Sequence, residues 1–210
     1  NQTSEMGSEE QKVGDFYSSF IDMKNRDKIG LKPLEKPLER IAGLKNKKQL
    51  VSLMGRNQRN GISNPFGIYV NQNAKKTSEY IVYVSQSGLS MPDRDYYLNE
   101  EERFKRYREA LKEYAKDVLT VAGYEHAERA AENVLKIETG IAKGHWSRVE
   151  NRNAEKTYNK LSGDEVASLV GSFDWARFVK AAKVNEQTHF VVRQPTYLEA
   201  FGKLFDETTL

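Results

Sequence analysis

The sequence contains no cysteine. That excludes disulfides, thiolate metal sites and a cysteine nucleophile within these residues. It leaves the compartment open, because many exported bacterial proteins also manage without cysteine. Histidine is scarce. His126, His145 and His189 are the only three, and none lies three or four residues from another. Zinc hydrolysis on a helix needs paired ligands on one face, as in His-Glu-x-x-His, and no such pair is encoded here. Apolar runs are short, far below the roughly 20 residues of a membrane helix, and no signal peptide is visible. An excess of one charge is also missing. Lys plus Arg number 33 and Asp plus Glu 30, a net charge of +3 with the signs interspersed. That balance argues against a nucleic-acid partner, and the densest basic run, Lys45-Asn46-Lys47-Lys48, reads as a solvated loop and helix start. There is no Gly-x-Ser-x-Gly elbow and no glycine-rich phosphate loop; Gly140 and Gly144 lack dinucleotide-binding spacing. A Ser-His-Asp group is assembled only by folding, and nothing in the sequence favours one.

What is present is enough for a core. Hydrophobic residues make up 38% of 210 positions, sufficient for one large or two small domains. Thr3 to Glu10 has no apolar period, and residues 1–12 read as a polar lead-in. Val13, Phe16, Tyr17, Phe20 and Ile21 then fall on one helical stripe, broken by Gly30 and Pro33. Leu34, Leu38 and Ile41 predict a short helix ending at Gly43. Asn46 with Gln49 resembles a capping box before Leu50, Val51, Leu53 and Met54. Phe66, Ile68 and Val70 alternate with period two, and Tyr80 to Val84 is aromatic and β-branched. These predict a β-hairpin over about 66–84, with a long polar connection from Asn71 to Ser78.

A long helix follows, with Asn99 and Glu102 as its expected box and Gly123 as its end. Its stripe is Phe104, Tyr107, Leu111, Tyr114, Val118 and Leu119, which assigns Tyr107 and Tyr114 to core packing rather than to base stacking. Alanines at 127, 130 and 131 predict a closely packed helix between about Glu125 and Val149. Ser162 with Glu165 and Asp174 are further caps. His189 to Val192 reads as a short strand, and Pro195 opens a helix carrying Tyr197, Leu198, Phe201 and Phe205. The chain opens on Asn1 and stops at Leu210 just after that apolar pattern. It is therefore expected to be a piece of something longer, with the last stripe uncovered for want of packing partners. The fold expected is mainly α, a multi-helix lobe with one β-hairpin insertion.

The densest chemistry is Pro92-Asp93-Arg94-Asp95-Tyr96-Tyr97. Two carboxylates, a guanidinium and two phenols adjoin. Neighbouring carboxylates can bind metal or share a proton. Pro92 fixes a turn, however, and an aspartate after it bonds nearby backbone N–H groups. Arg94 offers a planar fork for a carboxylate elsewhere. The segment is read as a structural joint, with Arg94 expected in an ion pair or several hydrogen bonds beside a buried tyrosine. His126 reads as an exposed helix-start histidine among charges, and His145, next to Trp146, as a packed one. His189 is read as a structural strand residue. No catalytic and no metal-binding residue is assigned.

Gly88-Leu89-Ser90-Met91-Pro92-Asp93-Arg94-Asp95-Tyr96-Tyr97 resembles the Gly-Leu-x-Leu-Pro-x-Arg-Asp-Tyr-Tyr signature of neprilysin-like zinc metallopeptidases. Phe16-Tyr17-x-x-Phe20-x-Asp22, Gly30-x-x-Pro33-Leu34, Glu138-x-x-Ile141-Ala142, Trp146, Arg148, Arg152-Asn153, Tyr158-Asn159, Phe173-Asp174-Trp175 and Pro195-x-Tyr197-Leu198 follow that family's order. Asn71 and Asn73 depart from it, standing where an acidic residue is usual. The match covers only the family's N-terminal half, without its His-Glu-x-x-His helix, later Glu ligand or Asn-Ala segment. The resemblance implies that residues 13–210 form the helical cap lobe of a two-lobed zinc endopeptidase. In it zinc belongs to the intact parent and no cofactor to this stretch. The implied partners are the catalytic lobe of the same parent chain and short peptide substrates. The implied location is periplasmic, cell-surface or secreted. The alternative is a free-standing helical module that binds peptide or protein without catalysis.

Overall fold

A computed structural model describes residues 3–209. Asn1 and Gln2, at the head of the lead-in, and Leu210, at the end of the last predicted domain, lie outside the described residues. The chain divides into two compact units, Asn1–Gly43 and Leu44–Leu210.

In the first unit, helix α1 spans Glu9–Ile21, beginning inside the segment read as a frayed lead-in. The Ser8 side chain accepts from the Gln11 backbone N–H, and Glu9 and Glu10 face the positive helix end. That polar start carries no apolar period, so periodicity alone places the helix too late. Helix α2 spans Met23–Ile29, capped by Asp22, and Gly30 leaves it with φ +54°. Helix α3 spans Glu35–Ala42 and ends at Gly43.

The second unit opens with helix α4, Lys47–Arg59, capped by Asn46 as expected. Gln49 returns a bond to Lys45 N rather than to the cap residue itself. Strands β1, Phe66–Asn73, and β2, Lys76–Gln86, form the hairpin. The long connection predicted between them is a tight turn at Ala74-Lys75. The strands run on through polar residues at the exposed tip, where the ladder holds them without an apolar alternation. Helix α5, Asp95–Leu98, precedes helix α6, Glu102–Val121. Asn99 closes α5, and its Oδ1 accepts from Glu101 N at 2.9 Å, so the box expected at Asn99 and Glu102 does not form. Helix α7 spans Ala127–Gly144, with Ala127 and Ala131 buried. Strand β3, Asn159–Ser162, leads into helix α8, Gly163–Leu169, whose Ser162/Glu165 capping box makes both of its bonds. Helix α9, Trp175–Ala182, strand β4, His189–Val192, and helix α10, Pro195–Glu207, complete the unit.

The fold is mainly helical with one small sheet, of order β1-β2-β4-β3. β2 pairs in parallel with β4 through Val82 with Phe190 and Val84 with Val192. β3 joins the far edge antiparallel. Its sequence, Asn-Lys-Leu-Ser, is too short and polar to announce a strand. One sheet face packs Phe66, Ile68, Val82, Val84, Phe190 and Val192 into the core. Phe66 sits at its centre with no exposed surface, edge-on to Phe173, Phe178 and Phe201 at centroid distances of 5.5, 5.0 and 5.2 Å. α4 and α9 approach closely at Gly55. A Cβ there would lie 2.6 Å from Ala181 Cβ and from the Phe178 carbonyl.

Two burial expectations are overturned. Tyr197, Leu198, Phe201 and Phe205 are at most 7% exposed, because the stripe of α10 closes the core within this one chain. Conversely, Tyr107 and Tyr114 are 49% and 67% exposed. α6 turns Phe104 and Ala115 inward instead, and its stripe proves wider than the face it buries. Among the described residues, no helix is long and apolar enough to cross a membrane.

Candidate functional site

The residues from Pro92 to Tyr97 lie where the chain leaves β2 and enters α5. Gly88 makes that exit possible. Its φ is +89°, and a Cβ would stand 2.6 Å from Pro65 Cα. Asp93 Oδ1 then accepts from the Asp95 backbone N–H at 2.9 Å, the local bond expected of an aspartate in this turn. Its other oxygen, Oδ2, pairs with Arg148 Nη2 at 2.6 Å.

The ion pair of the segment therefore belongs to Asp93, not to Arg94. Arg94 Nη1 donates to the His145 carbonyl at 2.7 Å. Among the described residues it has no carboxylate partner within ion-pair distance, so the ion pair or multiple bonding expected of it is absent. Asp95 is exposed and starts α5. The Tyr96 ring meets Phe104 edge-on at 5.4 Å and Tyr107 at a tilt, also at 5.4 Å.

Tyr97 is buried, and its hydroxyl takes part in two bonds. It accepts from Met91 N at 3.0 Å and donates to Glu138 Oε2. Burial first, and then the adjoining Glu138 carboxylate, push the phenol well above its ordinary range, so it stays protonated. Glu138, on α7, also accepts from Ser90 N at 3.1 Å and Ser90 Oγ at 2.7 Å. One carboxylate thus ties the middle of the loop between β2 and α5 to α5 itself.

His145 follows the last turn of α7 and is 7% exposed. Its ring stands edge-on to Tyr197 at 4.7 Å. Nε2 lies 3.1 Å from the Ser87 carbonyl; a carbonyl only accepts, so Nε2 carries the proton. Burial holds the imidazole below the usual histidine range, against the bond to Ser87 and with help from the Arg94 charge. Next to it the Gln86 amide pairs with both backbone groups of Trp146, at 2.8 and 3.0 Å. Gln194, 2% exposed, links Gln86 N to Asn151 Oδ1. A polar cleft of about 320 Å³ opens beside these groups, lined by Arg94, Arg148, His145 and Trp146 among others.

Glu138, Gln86, Gln194 and Asn151 escaped sequence reasoning as members of this site. Each is a lone polar residue in a helix, strand end or loop, and only folding aims them at one another. Glu138 carried a faint signal, as a carboxylate among small and apolar neighbours on α7. His126 is exposed before α7 and His189 is exposed on β4. Neither joins the site. The described residues contain no group of three or more His, Asp or Glu placed to hold a metal ion.

The pattern of Peptidase family M13, N-terminal part, matches residues 1–210. The chain belongs to that family. It is 27% identical over 224 residues to endothelin-converting enzyme 1 of Cavia porcellus, matching 99% of this chain and 29% of that enzyme. Among solved structures, the zinc metalloprotease Zmp1 of Mycobacterium tuberculosis, in complex with an inhibitor, superposes with a TM-score of 0.89 at 28% identity. That match covers 99% of this chain and 32% of Zmp1. PepO from Lactobacillus rhamnosis shares the fold, at 16% identity and a TM-score of 0.75, over 92% of this chain and 31% of PepO. This M13 chain thus spans less than a third of the length of the relatives it matches.

Proposed function

We propose that the chain is the N-terminal part of a zinc metalloendopeptidase that hydrolyses short peptides, and that it contributes no catalytic or metal-binding group. In this reading Pro92 to Tyr97 is a joint, residues 13–210 act as a helical cap on the catalytic lobe of the same parent chain, and the cap restricts substrate length. The parent works in the periplasm, on the cell surface or as a secreted enzyme. The observation that carries the reading is the family match along the whole chain, joined to a fold shared with a protease solved with its inhibitor. Supporting it, the polar groups of Glu138, Tyr97 and Gln86 bond to one another, to the Ser90 hydroxyl or to backbone.

The test compares the intact parent with the 210-residue chain, each assayed for bound zinc and for cleavage of peptides of graded length. The parent should hold about one zinc per folded molecule, as expected of a single catalytic zinc site, and should cleave short peptides in preference to long ones. The chain alone should do neither. Turnover or tight zinc in the isolated chain would overturn the non-catalytic assignment, and equal rates on peptides of all lengths would overturn the cap.

A further inference from the structure

We propose that the polar cleft beside Arg94 is a binding site for a monocarboxylate that carries an apolar group close to its carboxyl carbon. Arg94 lines the cleft and is half-buried. A guanidinium has five N–H donors and no acceptor. This one uses Nη1 on the His145 carbonyl at 2.7 Å, and among the described residues no carboxylate lies within ion-pair distance of it. Glu150 senses the Arg94 charge, but its Oε2 accepts from Ser147 N and Oγ, both at 2.7 Å, and it stands outside the cleft lining. A cation drawn partly out of water is costly unless a counter-charge meets it. The open cleft is where that counter-charge can enter.

Charge, shape and lining select the ligand. The lining holds Asp93, Arg94 and Arg148, and the 2.6 Å pair between Asp93 and Arg148 cancels two of these charges. His145 adds none, because its Nε2 proton rests on the Ser87 carbonyl and burial keeps the ring neutral. One positive charge remains, which balances a carboxylate and not a doubly charged phosphate. The planar fork of arginine also matches the two oxygens of a carboxylate. Leu89, Met91 and Trp146 line the same cleft, each half-buried, and supply an apolar wall. The Trp146 ring is fixed there by its Nε1–H, which donates to Thr196 Oγ1 at 2.7 Å. The volume of about 320 Å³ lies at the low end of the roughly 300–1,000 Å³ of small-molecule sites. A free acid and the carboxyl end of a peptide present the same group to this cleft.

Titrations followed by NMR test this. 4-Methylpentanoate, which has no peptide bond to cleave, should bind saturably to both the 210-residue chain and the intact parent. Its amide should not bind the chain, and inorganic phosphate should bind more weakly than the acid. Arg94→Gln should weaken the acid by at least about tenfold, the scale of a lost charged hydrogen bond. Arg148→Gln leaves the Asp93 charge uncancelled and should weaken it by about threefold or more. The Arg148 side chain is 67% exposed, so that variant decides the matter even if Arg94→Gln fails to fold. Acetyl-alanyl-leucine distinguishes the sources: if it binds the chain at least as tightly as 4-methylpentanoate the cleft takes a peptide end, and if it is excluded the cleft takes free acids. Either result upholds the site. Failure of 4-methylpentanoate to bind the chain or the parent would overturn it. So would equal binding of the amide, tighter binding of phosphate, or an affinity unmoved by Arg148→Gln. A parent that binds the acid but cleaves no peptide leaves this inference standing while defeating the functional reading.

Discussion

Tyr97 and Glu138 are the pair on which the loop between β2 and α5 depends. Removing the hydroxyl leaves the Met91 N–H without its acceptor and one Glu138 oxygen short of a donor. Tyr97→Phe should therefore cost about 1–3 kcal/mol, the range for stranding buried polar partners. A double-mutant cycle with Glu138→Gln, read by urea unfolding, should return a coupling of at least about 0.5 kcal/mol. Additive effects would mean that the contact does not hold the loop. His145 makes a second prediction. Its folded-state pKa lies below the ordinary value near 6.5, so the unfolded chain takes up the proton first as pH falls. Stability from this residue is whole above about pH 6.5, declines as the pH drops through that value, and is lost below the folded-state pKa. Urea midpoints from pH 8 to pH 5 should fall more steeply for the natural chain than for His145→Gln. Parallel slopes would remove His145 as the source.

At the scale of elements, the legible features were those written in local chemistry. Asn46, Ser162 and Asp174 each cap the helix that follows, because a side-chain oxygen three residues ahead of an N–H is a short-range fact. Pairing across the sheet is a long-range one. β3 acquires strand geometry only from β4, and the hairpin tip only from its own ladder, so neither shows in apolar spacing. The site divides the same way. The Asx bond of Asp93 was readable, but the carbonyl that Arg94 would meet lies 51 residues away. The α4–α9 crossing gives this scale its own test. Gly55→Ala should destabilise by about 1–3 kcal/mol through overpacking, outweighing alanine's helix-propensity gain of about 1 kcal/mol. Gly140→Ala meets only the flexible tip of Leu204 and should be far milder. Comparable thermal shifts in the two variants would show that the close crossing is not what fixes Gly55.

For the whole molecule, the large core cluster is drawn entirely from residues between Val51 and Phe205. A chain of residues 44–210 should therefore unfold in one cooperative urea transition with near-native aromatic circular dichroism. A broad transition with lost near-ultraviolet signal would show that the core is incomplete without residues 1–43. Stripe periodicity ranked these faces poorly because it reports that a helix has an apolar side and not which neighbour covers it. Thus the stripe of α10 proved covered by its own unit, while that of α6 left Tyr107 and Tyr114 exposed.

The parallel pairing of β2 with β4 also carries a consequence for synthesis. Val82 waits for Phe190, a gap of 108 positions. At ordinary elongation rates that is roughly 5–20 s on the ribosome. Through that interval the β1–β2 hairpin is complete on one side and unpaired on the other. An open strand edge of this sequence, Ile81-Val82-Tyr83-Val84, is a template for pairing with another nascent chain. The vulnerable moment in this protein's life thus precedes its native state, and the closing of that edge is timed by translation.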